Sequence, residues 1–459
     1  MKKSARTAGA RVGVISLGCA KNLVDSEHLI ASLLRAGLRL TPDPEEADLL
    51  LVNTCAFIHD AREEAIDAIL EACRRKAKGP CRGVIVTGCL PQRYRHQLAR
   101  ALPEADAFLG LDALDRVGDI ALRLLRGEGP IRDIPGEAVR LFEPSGPRVV
   151  LSAGPYAYLK IAEGCDHRCG FCAIPGIRGR HRSRPVEKIV AEAEELLGRG
   201  IRELNLISQD TTFYGLDRKD GSDLCVLLEA LGKIGGRFWI RVLYGYPTGI
   251  TNRLLDTMGA IPQVCRYLDV PVQHSHPDVL RLMRRGNTTR DVARLPERVR
   301  ALLPGVVLRT TCLVGHPGET EADFRHLKRY VAQAAFDHLG VFTFSPEEGT
   351  PSAGLRAQPR AATALRRKEE LLDLQQTVLD AQARTLAGAR DEFLVEKGPA
   401  AKGGMVRGRT RRQAPEVDGH TLVKGLGPRA VPGKWAEIRY TERRGIDWLA
   451  TAEQDGRSR

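Results

Sequence analysis

The chain has 459 residues, a formal net charge of +13 and eleven cysteines. At that length it can bury substantial cores in two to three domains, so it needs no disulfides for stability and its cysteines are available for other work. Clustered cysteines in a large chain without an export signal fit a reducing cytoplasm and cluster ligation, which excludes a disulfide scaffold. The basic balance favours a polyanionic partner or a ribosomal neighbourhood.

The start, Met1-Lys2-Lys3 followed by the apolar run to Ala20, imitates a secretion signal. The imitation fails because the run is short, is broken by Gly13 and Ser16, and leads straight into Lys21-Asn22. No stretch reaches membrane-spanning length, and the protein is expected to be soluble and cytoplasmic, with no membrane partner. Residues 11–17 then read as a short buried strand with Cys19 at its end, and residues 23–36 as a helix. A second strand over 47–52 leads to Asn53-Thr54-Cys55, with an amphipathic helix over 59–76. A third, over 83–87, leads to Gly88-Cys89 ahead of another helical stretch. Strands alternating with helices imply a doubly wound parallel sheet, whose carboxyl edge would gather Cys19, Cys55 and Cys89. Three thiolates there predict a cluster with one open iron. Cys73 and Cys81 fall outside this constellation.

After a Gly-, Pro- and charge-rich connection over 126–146, strand patterns recur at 156–162, 203–208, 238–243, 266–270, 306–314 and 338–344, separated by amphipathic helices. Six strand-helix units are fewer than the eight of a complete barrel, so a partial (β/α)6 barrel is expected. Its first strand runs into Glu163-Gly-Cys-Asp-His-Arg-Cys-Gly-Phe-Cys-Ala-Ile-Pro175, where Cys165, Cys169 and Cys172 stand in C-x3-C-x2-C spacing. Three cysteines on an iron-sulfur cube leave one iron open to an outside ligand. The competing assignment is structural zinc with His167 or His181 as fourth ligand, but no second Cys or His pair follows. Polar residues at or near strand ends are candidates for cofactor or substrate contacts: Gln209 and Asp210, Arg241, Gln273 and His274, and Arg309. Asp210 also suits a cap before a turn. His316, in the turn Gly315-His-Pro-Gly-Glu-Thr320, reads as a solvated side chain. Cys225, Cys265 and Cys312 read as core residues.

Residues 360–387 read as a long connecting helix. Beyond them short β-like runs at 393–396, 405–406, 421–423 and 435–440, separated by turns, suggest a small antiparallel barrel of the oligonucleotide-binding type. Arg407, Arg409, Arg411 and Arg412 form its densest basic cluster, which suggests RNA contact or a solvated turn.

The motifs Gly18-Cys19-Ala-Lys-Asn-Leu-Val-Asp-Ser-Glu27, Asn53-Thr-Cys-Ala-Phe-Ile58 and Thr87-Gly-Cys-Leu-Pro-Gln-Arg-Tyr94 resemble the amino-terminal domain of methylthiotransferases. The central three-cysteine loop resembles the motif of the radical S-adenosylmethionine (SAM) enzymes, and the last module resembles a TRAM domain. On this resemblance the domains span 11–127, 151–383 and 384–454. Lys21-Asn22, Phe57-Ile58 and Phe344-Ser-Pro-Glu-Glu-Gly-Thr-Pro351 resemble the branch that modifies an aspartate of small-subunit ribosomal protein number twelve. The resemblance implies two [4Fe-4S] clusters, one on Cys19, Cys55 and Cys89 and one binding SAM on Cys165, Cys169 and Cys172. It further implies radical replacement of a β-carbon hydrogen by a methylthio group, and an electron donor such as flavodoxin or ferredoxin. The small-subunit protein would be met with ribosomal RNA nearby. Two rivals remain open: the same chemistry on a tRNA adenosine, supported by the basic last module, and a zinc-bearing RNA-binding protein without catalysis.

Overall fold

Continuous apolar runs such as Leu49-Leu-Leu-Val52 are buried on both faces, as strands in the middle of a parallel sheet must be. A computed structural model of the chain describes residues 9–141, 146–399, 403–427 and 430–453. Met1-Lys2-Lys3, part of the expected connection, and residue 454 at the expected end of the last domain lie outside the described residues. The chain divides into two compact units. The first holds residues 1–151, 160–184 and 345–353, and the second holds 152–159, 185–344 and 354–459.

The first unit is built on an all-parallel sheet of β1 (Arg11–Ser16), β2 (Arg39–Leu40), β3 (Leu49–Thr54), β4 (Gly83–Gly88), β5 (Ala107–Leu109) and β6 (Ile131–Asp133), in the order 2-1-3-4-5-6. Helices α1 (Ala20–Arg35), α2 (His59–Lys78), α3 (Cys89–Ala101) and α4 (Val117–Leu125) connect the strands. This is the doubly wound pattern, with its topological switch point between β1 and β3. Sequence reading found β1, β3 and β4. It missed β2, β5 and β6, and β6 lies inside the stretch taken as a connection. Strands of two or three residues carry too few alternations for a period to show.

The chain next forms β7 (Tyr156–Lys160) and the short β8 (Ala162–Glu163). A single helical turn, α5 (Ile174–Arg178), follows the cysteine loop, and β9 (Arg182–Ser183) returns antiparallel to β8.

The second unit alternates helices with strands β10 (Glu203–Ile207), β11 (Trp239–Val242), β12 (Val264–Asp269), β13 (Val307–Val314) and β14 (His338–Thr343). With β7 they make a six-stranded sheet in sequential order, 7-10-11-12-13-14, as the partial barrel requires. The helix Ala361–Leu386 leads into a closed five-stranded barrel of β15 (Arg390–Lys397), β16 (Val406–Thr410), β17 (Thr421–Lys424), β18 (Trp435–Arg444) and β19 (Asp447–Ala452). One expectation is corrected here: the barrel is not wholly antiparallel, because β17 and β19 run parallel. The cause is parity, since a ring of five strands cannot alternate direction at every seam. Sequence reading also missed β19. Phe393, Val395, Val406, Val423, Ile438 and Tyr440 fill this barrel's core.

Candidate metal centre

Each of the three long strands of the first sheet delivers a cysteine to its carboxyl edge. Cys19 caps α1, Cys55 follows β3 by one residue, and Cys89 opens α3. Cys19 is exposed, whereas Cys55 and Cys89 are buried. Two turns hold them there. Gly18 has φ +95°, and a Cβ on it would lie 2.7 Å from Cβ of Cys55. Gly88 has φ +96°, and a Cβ there would meet Oδ1 of Asn53 at 2.4 Å and the Thr54 carbonyl at 2.5 Å. Neither turn accepts a side chain. Asn22 fastens the first two loops together by donating from Nδ2 to the carbonyls of Leu17 (2.7 Å) and Thr54 (3.0 Å). Asn53 donates back to the Asn22 carbonyl and to Ser26. Burial pushes the Cys89 thiol up to about 12 and that of Cys55 up as well. Cys19 and Cys55 add to the rise at Cys89, and Cys19 to that at Cys55.

The loop with Cys165, Cys169 and Cys172 lies in this same unit. Its sulfurs are half-buried, and the Cys172 N–H donates to the Cys169 carbonyl at 3.2 Å. Cys165 N–H donates to the Gly179 carbonyl at 3.1 Å. Gly164, at φ +80°, passes so close to the Arg180 carbonyl that a Cβ would stand 2.0 Å from it.

Beside Cys89 sits a buried quartet of charges that sequence reading missed. Arg178, at the end of α5, donates through Nη1 to Glu163 (2.7 Å) and through Nη2 to Asp25 (2.9 Å) and Oδ1 of Asn22 (3.0 Å). The same Nη2 lies 3.5 Å from Sγ of Cys89. Lys160, the last residue of β7, bonds both Asp25 and Glu163. Two cations face two carboxylates, so the quartet is neutral and each charge has an opposite neighbour. Burial raises the Glu163 carboxyl, but Arg178 and Lys160 more than offset this and hold it well below the carboxylate range. Asp25 and Glu163 stand inside the cysteine motifs, which was a usable signal; Arg178 carried none.

Residues 11–110 match the Uncharacterized protein family UPF0004, residues 159–331 the Radical SAM superfamily and residues 387–452 the TRAM domain. The chain is 45% identical over 442 residues to the ribosomal protein uS12 methylthiotransferase RimO of Syntrophus aciditrophicus, covering 96% of this chain and 97% of that protein. It is 43% identical over 448 residues to that of Pelobacter propionicus, covering 98% and 99%. The chain belongs to the RimO family of ribosomal protein uS12 methylthiotransferases. Among solved structures, the radical SAM methyltransferase TsrM of Kitasatospora setae, with cobalamin and a [4Fe-4S] cluster bound, has the same fold. It aligns with TM-score 0.56 at 18% identity, covering 76% of this chain and 80% of that one.

As a member of the RimO family the chain is a radical SAM methylthiotransferase, and the superfamily implies a [4Fe-4S] cluster and SAM. The donor set fits such a group. Soft thiolates in threes, with glycines in the turns beside them, suit an iron-sulfur cube and leave a coordination position for another ligand. His181, weighed above as a zinc ligand, turns its Nε2 to the Ser183 hydroxyl at 3.1 Å.

The strand-end candidates separate in this RimO-family chain. Asp210 is a cap, accepting from the Thr212 amide at 2.9 Å and its hydroxyl at 2.6 Å. Gln209 precedes it, two residues beyond the end of β10. Gln273 has φ +69°, and its backbone bridges to β13 through Thr311 and Leu313. His274 is fully buried; its Nδ1 accepts from the His276 amide, which leaves Nε2 as the protonated nitrogen, 3.6 Å from Glu319. Two candidates are engaged with the protein's own groups. Arg241 donates to Glu203 (2.7 Å) and to the Arg411 carbonyl (2.8 Å), deep in the second unit. Arg309 pairs with Asp418 and Asp269. Both hold structural ion pairs: Arg241 points back to the first residue of β10, and Arg309 is the third residue of β13, near its amino end. His316 corrects an expectation, that of a solvated side chain. It is fully buried, 5.2 Å from the Phe344 ring, with Nδ1 against the Pro317 carbonyl.

The basic cluster of the last barrel also differs from expectation. Arg409 is fully buried between Glu203 and Glu396, Arg411 bonds Glu392 and the Pro262 carbonyl, and Arg412 bonds Asp337. Three of the four arginines thus join the barrel to the parallel sheet within the second unit. Among the described residues, no helix is long and apolar enough to cross a membrane.

Proposed function

We propose that the chain adds a methylthio group to the β-carbon of an aspartate in ribosomal protein uS12, using SAM and two [4Fe-4S] clusters. Cys19, Cys55 and Cys89 would hold one cluster, and Cys165, Cys169 and Cys172 the other, to which SAM binds. The observation that carries this is the reach of Arg178, in the helical turn after Cys172, to within 3.5 Å of Cys89. Both sets of thiols lie in the first unit, which supports this reading.

A carbon-hydrogen bond at that β-carbon has no acidic proton and no leaving group, so its replacement calls for radical chemistry, which the bound cofactors supply. The contribution of the chain is position. Asn22 and the Gly18 and Gly88 turns fix three thiols at the switch point of the first sheet, and the quartet around Arg178 fixes the second loop beside them. Rigid placement of this kind lowers the entropy cost of bringing reacting groups together. An electron donor such as flavodoxin or ferredoxin completes the reaction in the cytoplasm. A tRNA substrate loses much of its support, because three of the four arginines that suggested it are committed to the protein's own carboxylates and carbonyls.

The test is anaerobic reconstitution followed by separate incubation with uS12 and with tRNA, weighing the products. We expect a methylthio gain on the aspartate of uS12 alone. Replacing Cys19, Cys55 and Cys89 together by alanine is expected to halve the bound iron and leave SAM cleavage in place. A wild-type protein carrying a single cluster, or gain of mass on tRNA only, would refute the proposal.

A further inference from the structure

The quartet around Arg178 is larger than the fastening of a loop requires. Asp25, Lys160, Glu163 and Arg178 are all buried, and they come from α1, the end of β7, β8 and α5. Lys160 satisfies one oxygen of each carboxylate, and Arg178 satisfies the other. Its Nη2 has two N–H groups for three acceptors, Asp25, Oδ1 of Asn22 and, at 3.5 Å, Sγ of Cys89, so one N–H is shared between an oxygen and the sulfur. Only a guanidinium does this. Its planar fork places several N–H groups in fixed directions, whereas a lysine ammonium is a point charge on a flexible stem. The sulfur it meets is the most deeply buried of its trio and is shielded from bulk water.

We propose that Arg178 sets the reduction potential of the centre on Cys19, Cys55 and Cys89 by donating a charge-assisted hydrogen bond to the Cys89 sulfur. This rests on the assignment of that trio to a cluster. The physical basis is general. Adding an electron to a cluster places more negative charge on its sulfurs, and an N–H donor or a cation beside a ligand sulfur stabilises the reduced form more than the oxidised one. The potential therefore rises. Because Arg178 follows the SAM-type cysteine loop by a few residues, any shift of that loop would move the donor off Cys89. Arg178 is a positioning residue and touches no reacting atom.

The experiment uses the full-length chain with Cys165, Cys169 and Cys172 replaced by alanine, so that one cluster remains, reconstituted anaerobically. Iron content, the electron paramagnetic resonance signal of the reduced state and its potentiometric midpoint are then measured for Arg178→Gln, Arg178→Lys and Arg178→Gln/Glu163→Gln. The double variant keeps the remaining pair neutral, which separates the bond to sulfur from the charge of the quartet. We expect all three to bind iron and to show a lower midpoint than the parent. An unchanged midpoint in Arg178→Gln, or a parental midpoint restored in the double variant, would overturn the proposal. Where Arg178→Gln fails to take up iron, Arg178→Lys decides by the same criterion. No iron in the parent itself, with Arg178 intact, would instead refute the cluster assignment.

Discussion

Arg409 of the last barrel extends its guanidinium to Glu203 at the start of β10, with 2.6 Å between Nη2 and Oε2. Both side chains are fully buried, and a second carboxylate, Glu396, takes Nε at 2.6 Å. The face of the arginine lies 5.1 Å from the Tyr156 ring centroid. Breaking such a pair from one side leaves charge buried without a partner. Arg409→Ala should therefore destabilise the second unit by about 3–5 kcal/mol. Urea denaturation of the full chain, followed by intrinsic fluorescence, measures it. A loss within about 0.5 kcal/mol, the range of an ordinary surface change, would show that the pair is not what joins barrel and sheet.

Arg411 and Arg412 lead to a second expectation. Their guanidiniums are held by Glu392 and Asp337, with a distance of 3.0 Å for the latter. A side chain committed in this way does not neutralise a phosphate. Removing an arginine that does neutralise one lowers the slope of log affinity against log salt by about 1. Arg411→Ala and Arg412→Ala should leave both the affinity of the protein for small-subunit ribosomal RNA and its salt slope unchanged. Titration at several salt concentrations checks this, and a slope reduced in both variants would return RNA binding to this cluster.

These arginines also mark the limit of what the sequence discloses. The ends of β1, β3 and β4 were legible because short continuous apolar runs bounded by turn residues mark buried strands, and parallel pairing then places Cys19, Cys55 and Cys89 along one edge. The C-x3-C-x2-C loop was legible because its spacing is local. Arg178 was not, because Asn22, Asp25 and Cys89 are 156, 153 and 89 residues away and nothing beside Arg178 points to them. Arg241 and Arg309 show a related limit: a polar residue in a strand reads the same whether it faces the carboxyl end or the amino end. His316 misled because a histidine in a Gly-Pro turn is normally solvated, whereas here the turn is packed under Phe344.

Gly88 allows a sharper test of the first centre. With φ +96° and two oxygens and an amide nitrogen within 2.8 Å of any added Cβ, it has no room for alanine. Gly88→Ala is expected to cost more than about 1 kcal/mol, since both the positive φ and the close backbone resist it. The same change should lower the iron bound, because Cys89 is the next residue and opens α3. Iron analysis of the reconstituted variant reads the second effect independently of its stability.

Glu347 makes the pH dependence of the first unit predictable. It is buried, with Ser345 donating at 2.8 Å, Arg93 at 2.9 Å and Arg62 also bonded to it. Arg93 donates in addition to the carbonyls of Ala56, beside Cys55, and of Glu348, so the pairs tie residues 345–353 to the first centre. Burial pushes the Glu347 carboxyl up, but Ser345, Arg93 and Arg62 more than offset it and hold the group below its ordinary 4.5. A carboxyl depressed in the folded state binds protons less readily than in the unfolded state. Its stabilisation is complete above about pH 4.5 and is lost as pH falls through the lower, folded value. Glu347→Gln removes this contribution. The variant should be less stable than the parent at neutral pH, and the gap should narrow as pH falls below 4.5. Thermal melts across that window decide the matter: a gap that is constant with pH would show that Glu347 acts through packing and hydrogen bonding alone, with no part for its charge.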